Sequence, residues 1–323
     1  MVHAIRIHEV GGPEKLTWEE VQVGEPGPGE IRVKHHAIGL NYIDTYQRSG
    51  LYPVELPAIM GMEGAGEVVA AGPDAHGFKA GDRIAYANPM GSYTEERVMP
   101  AARAVKLPDA IKYETAAAMM LQGMTTRYLL RQTFIVGPDT TLLFHAAAGG
   151  VGLIACQWAK HLGATIIGTA GSDEKCQLAL DHGATHMINY KTEDFVARVK
   201  EITEGRGCDV VYDSIGADTY PKSLDCLKPL GLFVTFGNAS GPIKDFDVGG
   251  LAAKGSLYVT RPTLFTYTSN REDLTANAND LFDVVASGAV KIKVNQTYDL
   301  KDAAEAHRDL EARKTTGSTI MTP

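Results

Sequence analysis

The stretch TTLLFHAAAGGVGLIACQWAKHL, residues 140–162, constrains this chain more than any other. Residues 141–145 are a short apolar run of strand type, and the small residues Ala147, Ala148, Gly149, Gly150, Val151 and Gly152 follow at once. From Val151 onward Leu153, Ile154, Cys156, Trp158 and Leu162 recur closely enough for a helix packed on a sheet. A second apolar run, 165–169, begins directly after Gly163. Strand, tight turn, helix and strand make the first half of a dinucleotide-binding βαβ unit. In such a turn Gly149 keeps a Cβ away from a pyrophosphate, Gly152 lets the helix pack close to the strand, and the helix N-terminus offers unpaired N–H groups to the phosphates. Ala147 stands where G-x-G-x-x-G has its first glycine, so the fingerprint is short by one residue and an ordinary strand-to-helix turn stays open as the alternative.

Beyond the turn, strands and helices alternate: helix 173–182, strand 187–189, helix 193–203, strand 210–213, helix 219–226, strands 232–236 and 256–260. That alternation predicts a parallel, doubly wound sheet with right-handed crossovers. Residues 1–122 read as mostly β instead, with short runs at 4–8, 31–37, 66–71 and 83–87 separated by Gly/Pro clusters at 11–13 and 25–29. Two glycine-rich stretches there, 39–53 and 61–68, carry polar residues that a plain barrel does not need; Glu63 and Asp82 read as structural turn residues. The pattern turns helical over 114–120 and 124–130, and after Arg261-Pro262 it predicts helix 272–286, strand 292–298, helix 300–313 and strand 318–321. A chain of 323 residues is too long for one ordinary core and implies two domains. No repeat or flexible linker separates them, so continuous helices are expected to join them.

Charge and cysteine usage narrow the function classes. With 31 basic against 39 acidic residues the net charge is −8, which argues against a nucleic-acid or anionic-membrane surface. No long apolar span or signal-type segment is visible. The four cysteines, Cys156, Cys176, Cys208 and Cys226, are widely spaced and form no C-x-x-C, which reads as reduced cytoplasmic thiols.

Four segments carry a resemblance that covers essentially the whole chain: 37–46 (AIGLNYIDTY), 145–152 (HAAAGGVG), 236–241 (FGNASG) and 302–308 (DAAEAHR). Through them the sequence resembles the zinc-independent members of the medium-chain dehydrogenase/reductase superfamily, most closely the NADPH-dependent quinone oxidoreductases related to zeta-crystallin. The resemblance implies an α/β chain with a discontinuous GroES-like, β-rich catalytic domain, 1–122 and 263–323, and an inserted Rossmann domain, 123–262, with a doubly wound parallel sheet. Zinc relatives place a Cys and a His where this chain has Asn41 and Met62. An amide and a thioether are poor Zn²⁺ ligands beside thiolate and imidazole, so no metal is expected.

Cofactor choice turns on the end of the second strand. By family spacing Ala170 replaces the acid that binds a ribose 2′-OH, and Gly171 and Ser172 follow it. The resemblance assigns a 2′-phosphate to Gly171, Lys175, Tyr190 and, from the tail, Arg313; Lys175 as a solvated helix lysine is the bland alternative. Asp173 reads as a helix-capping acid beside Ser172 and Glu174 rather than the ribose acid. For the nicotinamide end the resemblance names Thr125, Asn238 and the Phe236-Gly237 backbone, with Asn41 near the ribose and ring, while Asn238 also suits a turn.

With no metal or flavin motif, the expected chemistry is hydride transfer from NADPH to a quinone or an α,β-unsaturated carbonyl. Negative charge builds on the substrate oxygen, so donors are needed; the candidates are Tyr46 and Tyr52, with Asn41 assisting, against the alternative that the tyrosines only pack. Asp44 is expected to orient its loop, and His145 to be a buried structural histidine. The rivals are an enone, enal or enoyl-thioester reductase and, of another class, an RNA-binding or crystallin-like structural protein. A homodimer through the strand 256–260 at the Rossmann sheet edge is the expected assembly.

Overall fold

The computed structural model describes every residue from Met1 to Pro323. Two compact units emerge: one split along the chain (1–124, 268–286 and 292–323) and one inserted within it (125–267 with 287–291). These limits differ from the expected ones in three places: the first boundary falls two residues later, and the other two differences have local reasons. Tyr267 belongs to the inserted unit because its ring stacks on Tyr128 at 4.5 Å and its hydroxyl accepts from Thr133 Oγ1 at 3.0 Å. Lys291 joins it because its N–H and carbonyl both bond to Gln157.

The split unit opens with strands β1 (Val2–Ile7), β2 (Thr17–Val21) and β3 (Glu30–Leu40), then helix α1 (Tyr42–Arg48). Strands β4 (Ala58–Ile59), β5 (Glu63–Ala71), β6 (Arg83–Tyr86), β7 (Glu96–Pro100) and β8 (Val105–Lys106) follow, then helices α2 (Tyr113–Ala117) and α3 (Met120–Tyr128). Once the tail returns with β15 (Val294–Asp299) and β16 (Ser318–Thr322), its sheet runs β15-β16-β3-β5-β6-β8, with β7 also on β3. Helix α1 occupies a stretch read from sequence only as glycine-rich. Glu63 is not in a turn as expected: it opens β5 opposite Gly39 in the antiparallel register, fully buried.

In the inserted unit β9 (Thr141–Phe144), α4 (Gly150–His161), β10 (Thr165–Ala170), α5 (Asp173–Asp181), β11 (His186–Asn189), α6 (Phe195–Ile202), β12 (Cys208–Asp213), β13 (Leu227–Thr235), α7 (Gly249–Ala253), β14 (Tyr258–Thr260) and α8 (Leu264–Tyr267) follow in chain order. The sheet order β11-β10-β9-β12-β13-β14 is all parallel, the doubly wound order whose direction reverses between β9 and β12. Leu143, Ile167, Ile188, Val211 and Phe233, one from each of five strands, share one core cluster. All six residues of β12 are buried, as a central parallel strand requires.

Two expectations fail here. Residues 219–226 form only a 3₁₀ turn, Lys222–Cys226, because Pro221 lacks an N–H and disfavours helix before it. The last strand shrinks to β14 because Gly255 and Ser256 both sit at positive φ, 107° and 57°. The chain ends with α9 (Arg271–Ala286), β15 (Val294–Asp299), α10 (Ala303–Glu311) and β16 (Ser318–Thr322) in the split unit. The expected helix 300–313 is therefore a 3₁₀ turn at Leu300–Asp302 followed by α10.

Candidate active site

The phosphate-binding turn is built almost wholly of backbone. After β9 the chain reaches Ala146 at φ 54°; Ala147 N–H then donates to Thr169 O (3.0 Å) and Gly149 N–H to Ala146 O (2.9 Å). Leu153 N–H closes onto Gly149 O, and the N–H groups of Gly150, Val151 and Gly152 lie ahead of it, in the first helical turn, where no helical carbonyl precedes them. A Cβ on Gly152 would meet Ala146 O at 2.5 Å and Ala147 O at 2.6 Å, so the turn's own carbonyls demand this glycine. The missing first glycine has a counterpart. Ala147 is buried, and a Cβ on Gly168 of β10 would lie 2.7 Å from its methyl group, so the room given up at 147 is recovered at 168.

Buried His145 braces this turn from below. It bonds Thr169 Oγ1 and Ser223 Oγ at 3.0 Å each, and Ser223 donates on to Asp213. Asp213 also accepts from Ile215 N, Gly216 N and Thr219 Oγ1. Burial lowers the His145 pKa, so the imidazole is neutral and ties the ends of three strands together. That is a structural histidine.

Past the end of β10, two of the residues assigned to a 2′-phosphate, Gly171 and Tyr190, come together. A Cβ on Gly171 would meet the Tyr190 hydroxyl at 2.6 Å, so the two are neighbours. Ser172 caps α5, accepting from Lys175 N–H at 3.3 Å, and Asp173 accepts from Asn189 Nδ2 at 2.7 Å, which commits that acid to the cap region. Ala148 and Thr125 are buried, while Phe236 N–H donates to Asp213 O. Arg261 Nη1 donates to Gly237 O at 3.2 Å, and Asn238 O accepts from Gly241 N–H, so Asn238 does open a turn. Arg313 follows α10 in the split unit, exposed and at φ 59°.

In the split unit the site is made of side chains. The Asn41 N–H donates to Asp44 Oδ2 (2.9 Å) at the start of α1. The Asn41 amide Nδ2 donates to Glu63 Oε2 (2.7 Å), and its Oδ1 accepts from Gln122 Nε2 (3.2 Å). Gln122 Oε1 in turn accepts from Ser318 Oγ (2.7 Å). Glu63 Oε1 takes the Leu121 N–H (2.8 Å) at the start of α3. Burial pushes the Glu63 carboxyl up to about 8 and that of Asp44 up to about 7. A Cβ on Gly39 would stand 2.2 Å from Glu63 Oε2, so this glycine makes room for the acid.

From Asp44 a second set of bonds runs outward. Tyr93 Oη donates to Asp44 Oδ2 (2.8 Å), His307 Nε2 lies 3.0 Å from Tyr93 Oη, and Arg48 Nη1 lies 3.0 Å from His307 Nδ1. Arg48, 2% exposed, ends on Glu311 Oε1 at 2.6 Å. Arginine only donates, so His307 Nδ1 accepts, its Nε2–H points to Tyr93, and the Tyr93 proton to Asp44. Tyr46 sits on α1, half-buried, with its ring 5.3 Å from that of Tyr52 in an edge-on contact, and Tyr52 N–H donates to Tyr46 O.

Sequence reasoning named Asn41, Tyr46 and Tyr52 but passed over Arg48, Tyr93, Gln122, His307 and Ser318, and misread Glu63. The register supplies the link for Ser318: Thr319 pairs with Leu40, which brings the residue before it next to the one after Leu40. His307 lay inside a segment already quoted for its resemblance, and that was the one signal available.

Residues 27–109 match the family model of the alcohol dehydrogenase GroES-like domain, and residues 150–282 that of the zinc-binding dehydrogenases. End to end, the chain is 54% identical to a quinone oxidoreductase of Pseudomonas aeruginosa, with all of both chains covered. It is 46% identical to a 2-haloacrylate reductase of a Burkholderia species, over 100% of this chain and 99% of the other. The crystal structure of Escherichia coli quinone oxidoreductase complexed with NADPH superposes with a TM-score of 0.98 at 51% identity, covering 99% of this chain and 100% of that one. The donor set does not fit the zinc of the second family model. The Asn41 amide is spent on Glu63 and Gln122, and the Met62 thioether accepts from Gln47 Nε2 (3.2 Å).

Proposed function

We propose that this chain, which belongs to the quinone oxidoreductases of the medium-chain dehydrogenase/reductase superfamily, reduces a quinone to its hydroquinone with NADPH and without a metal. The observation that carries this reading is the phosphate-binding turn with the N–H groups of Gly150, Val151 and Gly152 ahead of its first helical bond, in a chain that is similar from end to end to quinone oxidoreductases. NADPH, when bound, supplies a hydride, and the hydroquinone takes one further proton from the medium. The first turn of α4 would receive the pyrophosphate, with Ala147, Ala148 and Gly149 leaving it room. Gly171, Ser172, Lys175, Tyr190 and Arg313 would receive the 2′-phosphate, which needs cations and neutral donors and finds no acid at Ala170. Thr125, Phe236, Gly237 and Asn238 would hold the nicotinamide end. Tyr46 and Tyr52 would donate their hydroxyl protons in hydrogen bonds to the substrate oxygen as negative charge builds there, with Asn41 assisting.

A second reading, reduction of an α,β-unsaturated carbonyl or acid, is favoured by the full-length likeness to a 2-haloacrylate reductase. We place the protein in the cytoplasm, a reading supported by four unpaired cysteines. Its assembly we read as a homodimer through β14. That strand ends the sheet order, with Tyr258 62% exposed on it. Nucleic-acid binding does not enter this reading.

The test is oxidation of NADPH and NADH, in separate assays, with 1,4-benzoquinone, 9,10-phenanthrenequinone and 2-chloroacrylate, with and without chelator. The expected result is quinone turnover at least about tenfold better with NADPH, roughly 1.4 kcal/mol, and unaffected by chelation. Turnover of the acrylate alone selects the second reading.

A further inference from the structure

Asn41 is held by two buried carboxyls through hydrogen-bond chains that differ in one respect: whether they can run backwards. The chain to Asp44 cannot. Its members are the Asn41 backbone N–H, which only donates, and the sequence Arg48, His307, Tyr93, whose direction is imposed by an arginine. The chain to Glu63 can. It consists of an amide (Asn41), a second amide (Gln122) and a hydroxyl (Ser318), all buried. With Glu63 ionised, every bond points toward the acid: Ser318 O–H to Gln122 C=O, Gln122 N–H to Asn41 C=O, Asn41 N–H to carboxylate. With Glu63 protonated, half-turns of the two amides and rotation of the hydroxyl reverse all three bonds and leave none unmade.

We propose that Gln122 and Ser318 are positioning residues of Asn41, and that the charge on Glu63 sets through this chain which end of the Asn41 amide, N–H or C=O, is turned toward Glu63 and which away from it. The inference rests on Asn41 assisting the substrate, as proposed above. The donors around Glu63 are the amide of Asn41 and the N–H groups of Met120 and Leu121. The titratable groups that feel its charge are Asp44 from α1, Tyr86 from β6 and Tyr93 from the loop beyond β6. Asp44 is the like charge among them. The carboxyl of Glu63, held near 8, titrates within reach of ordinary assays.

Two readouts test this on the full-length protein. The first needs no turnover: infrared titration of the buried carboxyl band, assigned to Glu63 by its loss in Glu63→Gln. Removing the hydroxyl in Ser318→Ala takes a donor from the Gln122 C=O in the forward state and an acceptor from a Gln122 N–H in the reversed one; the buried N–H is the costlier loss, so the Glu63 titration should move to lower pH by up to about one unit. The second is the pH profile of kcat with NADPH and 1,4-benzoquinone. The wild type should show a step at the pH of the infrared titration, absent in Glu63→Gln. In Gln122→Met the carboxyl should still titrate and the kcat step should shrink, because Asn41 keeps its direct bond to Glu63 but loses the far anchor that fixes its amide. Tyr86→Phe, which alters a buried tyrosine outside the chain, should lower the melting temperature and leave the step in place. An infrared titration unmoved by Ser318→Ala overturns the chain even if no quinone is turned over. A kcat step of unchanged height in Gln122→Met overturns the positioning of Asn41 by Gln122. Absence of wild-type turnover with a shifted infrared titration overturns the quinone reading and leaves the chain standing.

Discussion

The turn of the inserted unit and the Asn41 site of the split unit solve the same problem, presenting hydrogen-bond donors, with opposite materials. The first uses backbone N–H groups fixed by a helix start, which carry no charge state and which no substitution but proline removes. The second uses side chains gathered from α1, β5, α3, α10 and β16 around two buried acids. A backbone site fails when something bulky enters it. A side-chain site fails when a partner leaves or a proton moves.

The largest effect should come from breaking the side-chain site at its most buried charge. Arg48→Met leaves Glu311 and His307 unanswered and should cost about 3 kcal/mol in denaturant unfolding, with NADPH affinity unchanged. Next is the backbone site: Gly152→Val drives atoms into Ala146 O and Ala147 O and should weaken NADPH on the order of a hundredfold, about 2.7 kcal/mol, in a fluorescence titration. Equal loss of fold stability in both variants would erase the distinction drawn above.

Smaller effects sharpen it through pH. Glu63 has its folded pKa raised to about 8, so the stability that goes with its protonated form is complete below the unfolded value, about 4.3, and is lost as pH rises toward 8. Asp44 acts in the same sense up to about 7. His35 and His307, both lowered to about 3 by burial, act in the opposite sense, losing stability as pH falls below about 6.5. Glu63→Gln cancels only the first of these. Its stability relative to wild type should therefore improve by on the order of 2 kcal/mol between about pH 6.5 and pH 9, measured by urea unfolding at each pH. A difference flat with pH would place the Glu63 carboxyl in its ordinary range. Smallest of all, Lys175→Ala should reduce the preference for NADPH over NADH about tenfold, roughly 1.4 kcal/mol in kcat/KM.

The same contrast decides what could be read from the sequence. Backbone sites need particular glycines at particular spacings, so Gly149, Gly150 and Gly152 announced the turn, and with the alternating strands they announced the parallel sheet. Ser172 and Asp173 were legible as a cap because capping is local in sequence. Asn41 stood out through its resemblance to family members, but its partners lie at 63, 122 and 318, and no periodicity connects those positions; only the β3–β5 and β3–β16 registers do. Glu63 looked like a turn acid because glycines flank it, whereas Gly64 and Gly66 serve a crowded antiparallel strand: a Cβ on Gly66 would meet Lys34 O at 2.0 Å. The 3₁₀ turn at 222–226 was missed because the alternation of strands and helices was carried on through a visible proline.

Between β9's turn and β10 there is space for a single methyl group, and this chain gives it to position 147 and withholds it from position 168. The two positions are thus not independent variables. An isolated Gly168→Ala sets a second methyl group against that of Ala147 and against the Met187 thioether, while Ala147→Gly together with Gly168→Ala relieves the first clash and leaves only the flexible Met187 side chain to give way. The glycine of a dinucleotide fingerprint is in this sense a shared property of neighbouring strands, and a search that looks for it in one segment alone will overlook chains that keep it next door.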